Sequence, residues 1–296
     1  MTFQINHADR KPIRPPRRAE RIELAQHDAK QHTLGLLRDN RVSDLASRVI
    51  DALAVAGVLS EQQLDELLKV SYRSLLRYYK LHFLDRLPSS FDLTAVGFRR
   101  RETFYTLGMV GLVIAEMRSM NGLVPISYLG YGLHRVMHDV LTNEVVIRLA
   151  NAAVAQGATP LWRSKYEATV HNDDRRPILE PDALLEIGTR QLLLEYHNED
   201  TSRRAVEKVQ RYEKAYRDGH WRSSWQTDEF PLVLIAFTHR AVATGYQAAV
   251  KEAAQMGLRC RYVGKPWSSF QRGDDPALWQ DFRTGEIVNV LQGGKP

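Results

Sequence analysis

Ile178-Leu179-Glu180-Pro181-Asp182-Ala183-Leu184-Leu185-Glu186-Ile187 runs through Gly188-Thr189 into Arg190-Gln191-Leu192-Leu193-Leu194-Glu195-Tyr196-His197. It reads as two apolar strands around a tight turn, with acids where a buried strand should carry none. A two-residue turn at Gly188-Thr189 sets an antiparallel register in which Asp182 opposes Glu195 and Glu180 opposes His197. Side chains alternate across a strand, so these four residues are expected on one face. Directly opposed like charges destabilise a hairpin. The acids are therefore either solvated, paired with an arginine such as Arg175 or Arg176, or gathered around a cation. A divalent metal is the obvious candidate.

The rest of the chain bounds this reading. Its 296 residues leave room for two modest domains. The 44% hydrophobic and 26% charged fractions are those of a globular chain. A formal net charge of +6 is compatible with a polyanionic partner. The single cysteine, Cys260, excludes an intramolecular disulfide framework and a cysteine-built zinc site; a reducing cytoplasm fits. Cys260 lies in the apolar run Leu258 to Val263 and is expected in the core. No apolar run reaches the length of a membrane span, and charge precedes any apolar stretch at the start, so neither a span nor a secretory leader is expected.

Residues 1–40 carry Arg10, Lys11, Arg14, Arg17, Arg18 and Arg21 among Pro12, Pro15 and Pro16, which predicts a basic flexible arm. From Ser43 the periodicity is helical through Leu45, Val49, Ile50 and Leu53, up to Gly57. Ser60 with Gln63 forms a capping-box pattern ahead of a second helix, with Leu64, Leu67 and Leu68 as its buried stripe. Ser71 caps a third helix to about Leu84, with Leu75, Leu76 and Tyr79 expected inward and Tyr72, Arg73, Ser74, Arg77 and Lys80 outward. A hairpin of 87–91 with 98–107 brings Arg99, Arg100 and Arg101 near its return strand. Three short helices, the third basic, followed by a basic hairpin predict a winged helix-turn-helix over 41–120, docking in the major groove of double-stranded DNA with the wing on phosphates. Met109 to Met120 closes it as a further helix, and a Gly- and Pro-containing linker occupies 121–133.

Residues 134–296 alternate helices and strands. A helix runs from His134 to Gln156, a strand from Trp162 to Val170, then the acidic hairpin, a helix capped by Thr201 or Ser202, a strand at Pro231 to Phe237, a helix at Val242 to Met256 and a strand at Leu258 to Val263, before an irregular tail. The continuous apolar run at 232–236 implies a strand covered on both faces. The expected fold class is thus a two-domain α+β/α/β chain, with a winged helix ahead of a mixed-sheet layer domain.

That order of one helix, three strands, helix and strand resembles the PD-(D/E)xK nuclease superfamily. The resemblance implies a metal site on Asp182 of Pro181-Asp182 and on Glu195, with Glu144 on the preceding helix as a third acid; His197 stands where that motif has lysine. A narrower resemblance covers about residues 44–265. His134, Asp139, Pro181-Asp182, Glu195, Thr201, Lys208 and Tyr212 follow in an order similar to the replication-relaxation family, whose members are encoded on plasmids and other mobile elements and are implicated in replication and DNA relaxation. It implies a DNA-binding protein acting in those processes, with replication or mobilisation proteins and a second copy of the chain as further candidate partners.

Two chemistries stay open. An active nickase or endonuclease needs Mg²⁺ or Mn²⁺ between Asp182 and Glu195, with His197, or Lys208 from the next helix, standing in for the missing lysine. The alternative is a DNA-binding scaffold that does not cut. A third reading is a transcriptional repressor whose C-terminal half dimerises or senses a ligand. His134 and His138, one helical turn apart, have a spacing that can hold zinc but lack a third ligand. Tyr212 and Tyr216 are the nearest candidates for a tyrosine nucleophile. His239-Arg240 follows the apolar strand and is placed either at the sheet end beside the acids or on an unrelated surface.

Overall fold

The computed structural model describes residues 19–39, 41–88, 93–98, 102–118, 132–198 and 203–292. The chain divides into two compact units, with the division between Val140 and Leu141.

The first unit opens with helix α1 (Ala19–Arg38), where the sequence predicts a flexible arm. The prolines behind that expectation, Pro12 to Pro16, lie outside the described residues. From Ala19 on, good helix formers dominate, and Thr33 and Leu36 are buried as α1 packs on α5 (Met109–Arg118). Helix α2 (Asp44–Ala56) is capped by Ser43, whose Oγ accepts the Ala46 N–H, and buries Val49, Ile50 and Leu53. Gly57 ends it with φ +74°, a conformation that favours glycine.

Strand β1 (Val58–Ser60) leads into α3 (Glu61–Leu68) through the expected capping box. Ser60 N–H donates to Gln63 Oε1, and Ser60 Oγ accepts the Gln63 N–H, both at 3.0 Å. Ser71 caps α4 (Tyr72–Lys80) as expected, but α4 ends at Lys80. His82 takes φ +59°, and Phe83 and Leu84 turn into the core as strand β2 (Leu84–Pro88) begins. Leu75 and Tyr78 are the buried residues of α4, while Tyr79, expected inward, is 39% exposed.

β2 pairs with β3 (Thr103–Leu107), from Leu84↔Leu107 to Pro88↔Thr103, and β1 lies on the other side of β3. The hairpin therefore uses 84–88 and 103–107 rather than 87–91 and 98–107. The physical reason lies at Leu93, Val96 and Phe98, which are buried in and beside a 3-10 turn (Thr94–Val96) instead of extending a strand. Arg99, Arg100 and Arg101 lie outside the described residues.

Helix α6 (Leu133–Ala155) runs through the division. The second unit is a seven-stranded mixed sheet. Its strands, in chain order, are β4 (Pro160–Arg163), β7 (Ala183–Ile187), β8 (Arg190–His197), β9 (Leu232–Phe237), β10 (Tyr262–Pro266), β11 (Leu278–Asp281) and β12 (Ile287–Asn289); β5 (Val170–His171) and β6 (Pro177–Leu179) form a separate ribbon. The spatial order is β12-β11-β10-β9-β8-β7-β4, with β8, β9 and β10 mutually parallel.

Two expectations are corrected here. The strand predicted over 162–170 is broken by α7 (Lys165–Ala168), because Ser164 and Glu167 close a capping box. The irregular tail instead completes the sheet as β11 and β12, with Trp279 of β11 fully buried.

Helices α8 (Arg203–Asp218), α9 (Trp221–Trp225) and α10 (Arg240–Gln255) share one core with Leu184, Leu193, Val233, Ile235 and Tyr262. The alternate residues Leu185, Leu194, Tyr196 and Leu234 are equally buried, so the sheet is covered on both faces. On that second face Tyr196 meets Trp267 of α11 (Trp267–Arg272) edge-on at 5.8 Å, and Arg148 of α6 donates to Phe270 O at 2.6 Å. Cys260 is buried as expected. No helix among the described residues is long and apolar enough to cross a membrane.

Candidate functional site

Two groups of side chains carry chemistry, one in each unit. In the first, Arg73, Arg77 and Lys80 are exposed on the side of α4 away from Leu75 and Tyr78. That separation follows from helical spacing: the basic residues fall on one face and the buried pair on the opposite one. Tyr72 is 50% exposed beside them, and Ser74 stays near the N-cap, its Oγ 3.1 Å from Ser71 Oγ. Arg86 on β2 lies over the Tyr79 ring at 5.6 Å and extends the cationic surface toward the strands.

The second group grows from the acidic hairpin. β7 and β8 pair from Ala183↔Leu194 to Ile187↔Arg190, the register that the Gly188-Thr189 turn dictates. Positive φ at Gly188 alone of the two turn residues is the type II′ pattern. Asp182 N–H donates to Leu194 O, which extends the register by one bond and sets Asp182 across from Glu195. Glu180 does not reach His197. Leu179 before it pairs with Val170 in the β5–β6 ribbon, and Glu180 is left exposed between ribbon and sheet.

Glu195 and His197 point to the face covered by α8 and α10. Lys208 Nζ is 2.6 Å from Glu195 Oε2, and the Tyr212 hydroxyl donates to Glu195 Oε1 at 2.7 Å. Lys208 and Tyr212 stand one helical turn apart, so α8 delivers both to a single carboxylate. Asp182 Oδ2 accepts the Tyr196 N–H at 2.9 Å. His197 Nε2 is 2.9 Å from the Tyr246 hydroxyl of α10. Thr238 N–H donates to His197 O, so His239 and Arg240 begin α10 at this end of the sheet.

The electrostatics follow from burial. Burial pushes the Glu195 carboxyl above the usual carboxylate range and Asp182 adds to this, while Lys208 pulls it back. Burial alone would lower Lys208, but Glu195 and then Asp182 more than offset it, and the ammonium is held above its ordinary range. With two donors converging on Glu195, the contact geometry is that of an ionised pair. Burial, then the neighbouring Glu195 charge, pushes the Tyr212 hydroxyl well above its ordinary range. Its ring is fully buried and its proton is committed to Glu195, so Tyr212 acts as a brace and is closed off as a nucleophile.

The third expected acid is elsewhere. Glu144 on α6 is buried and accepts from Arg148 Nε at 2.8 Å, and Arg148 binds α11 on the opposite face of the sheet from Glu195. His138 Nδ1 is 3.0 Å from Asp139 Oδ1. Among the described residues no group of three or more His, Cys, Asp or Glu side chains is placed to hold a metal ion. As arranged, the donor set does not fit a resident Mg²⁺ or Mn²⁺ ion. Both oxygens of Glu195 and one oxygen of Asp182 already accept protein donors.

Sequence reading missed two partners. The Tyr212 brace was visible in principle, four residues after Lys208 on one helix face. Tyr246 had no local signal, because only tertiary packing brings α10 to β8.

No curated protein and no solved structure matches the chain. The replication-relaxation family model matches residues 50–231, well over half of the sequence, from within α2 to the entry of β9. The matched span holds the α4 surface and also Asp182, Glu195, Lys208 and Tyr212: the chain belongs to the replication-relaxation family.

Proposed function

We propose that this chain is a DNA-binding protein of a plasmid or other mobile element, acting in its replication or relaxation by gripping duplex DNA through α4. The observation that carries the reading is the α4 surface, with Arg73, Arg77 and Lys80 exposed opposite a buried Leu75 and Tyr78. The order α2-β1-α3-α4-β2-β3, with β3 between β1 and β2, supports a winged helix-turn-helix whose third helix enters the major groove. The three cations neutralise phosphates or reach base edges, and Tyr72 adds an aromatic and hydroxyl contact. Arg86 supplies a phosphate contact from the strand side.

The second unit, a helix-flanked mixed sheet with an acidic hairpin, supports a nuclease-like scaffold. DNA cleavage is not part of this reading, since the Glu195 carboxylate is already bound on both oxygens.

Duplex affinity measured against salt tests the proposal. Arg77→Ala should weaken binding at every salt concentration and reduce the slope of log K against log salt by about 0.9, the value for one phosphate contact. Replacing Arg73, Arg77 and Lys80 together with no change in affinity or slope refutes docking through α4.

A further inference from the structure

A pair of opposed carboxylates calls for a positive charge, and α8 brings one. Lys208 reaches Glu195 Oε2 at 2.6 Å, and its side chain is only 20% exposed. Asp182 stands across the hairpin from Glu195, close enough that its charge also bears on Lys208. The other oxygen of Glu195 is closed by Tyr212 from the next turn of the same helix. The long aliphatic stem of Lys208 runs over the face that buries Ala205, Val209 and Tyr212, with its ammonium delivered inward to the acids rather than outward to water.

We infer that the Lys208 ammonium is the resident counter-ion of Asp182 and Glu195, standing where a divalent cation would bridge them, and that removing it uncovers a divalent-cation site. The two occupants exclude one another. A dication beside the ammonium would face a full positive charge at short range and find both oxygens of Glu195 already engaged. An ammonium also locks the hairpin to α8 through a bond that needs no ion from solution. Once that charge is gone, two carboxylates opposed on one sheet face offer hard oxygen ligands of the kind Mn²⁺ and Mg²⁺ accept.

The test is a Mn²⁺ titration of the full chain, read by loss of the free-ion EPR signal. It compares wild type, Lys208→Ala, Lys208→Gln and Lys208→Ala with Asp182→Asn, each checked for fold by circular dichroism. Wild type should leave Mn²⁺ free. Both Lys208 variants should bind one equivalent at least about tenfold more tightly than wild type, and the added Asp182→Asn should abolish the gain. Lys208→Gln keeps side-chain length and hydrogen bonding, so it carries the measurement if the alanine variant fails to fold. Failure of either folded variant to gain Mn²⁺ overturns the inference. Wild-type binding that disappears in Asp182→Asn overturns it too, and that arm decides alone if neither Lys208 variant folds. The outcome is separate from the DNA reading, because α4 is untouched in every variant.

Discussion

Replacing Lys208 with Met and Glu195 with Gln, singly and together, should reveal how strongly the buried pair is coupled. The two charges are 2.6 Å apart, with side chains 20% and 1% exposed. At an effective dielectric of about 20 their gross attraction is roughly 6 kcal/mol, most of it offset by desolvation of both ions. Removing one partner strands the other. Lys208→Met leaves Glu195 facing Asp182 without a cation and should cost about 3 to 5 kcal/mol. Glu195→Gln keeps an acceptor for Tyr212 but strands the ammonium, at about 3 kcal/mol. The double variant removes both charges and should cost well under the sum, leaving a coupling of about 2 to 3 kcal/mol.

Urea titration followed by tryptophan fluorescence isolates the relevant unit. The five tryptophans, Trp162, Trp221, Trp225, Trp267 and Trp279, all lie beyond Val140. The pH dependence has a definite sign. In Lys208→Met the folded Glu195 carboxyl loses the neighbour that pulled it down, so its pKa rises further above the unfolded value. A raised carboxyl contributes stability that is full below the unfolded pKa and is lost as pH rises through the folded one. The variant's deficit should therefore shrink on acidification toward the unfolded carboxylate range. Single-variant costs that add within about 0.5 kcal/mol to the double-variant cost would refute the buried-pair reasoning.

Two further perturbations test packing in each unit. Burial pushes Tyr105, on β3, up to about 12, with Arg86 opposing the rise. A raised tyrosine pKa leaves stability intact below about pH 10 and removes it through about pH 12, by at most 2 to 3 kcal/mol. Circular dichroism melts across that range should show a smaller alkaline loss in Tyr105→Phe than in wild type. An identical loss in both would discount the Tyr105 contribution. In the second unit, a Cβ at Gly264 on β10 would come 2.1 Å from Phe282 Cζ, whose ring is stacked on Tyr246 at 5.6 Å. Gly264→Ala should destabilise by about 1 to 3 kcal/mol, and Phe282→Leu in the same chain should restore part of it. A neutral Gly264→Ala by tryptophan-monitored urea unfolding would mean that the strand and ring shift apart freely.

Local rules reached far into this fold because several of its decisive contacts are local. Ser43, Ser60 and Ser71 each begin a helix, since a cap needs only a side-chain oxygen and an N–H a few residues on. The hairpin register followed from the length of one turn. Errors arose where tertiary burial outweighed local pattern. Phe83 and Leu84 left the third helix for the core. Phe98 entered a turn, with its ring edge-on to Phe104 at 6.5 Å. Ala19–Arg38 became a helix because α5 offered a surface to cover. Glu180 was assigned to the sheet by extending register arithmetic past the point where β6 had already paired with β5. Glu144 was assigned to the acids by analogy, although side-chain alternation on β8 puts Glu195 on the opposite face of the sheet from the α6–α11 contact.

The acidic hairpin shows why a need can be legible before its answer. Opposition of Asp182 and Glu195 is a property of one turn, and the demand for a positive charge follows from electrostatics at that distance. Which cation meets the demand depends on how far away in the chain the positive charge lies and on which face its element covers. Lys208 is thirteen residues beyond Glu195 on a helix that packs over the sheet, close in space only after the sheet and helix have docked. A metal would meet the same demand through coordination, but it requires ligand oxygens that are not already accepting bonds. Here the helix supplies a charge to one oxygen and a hydroxyl to the other. The carboxylate is satisfied by the chain itself, which makes the hairpin–helix contact a covalently supplied substitute for an ion and leaves the α4 surface to carry the interaction with DNA.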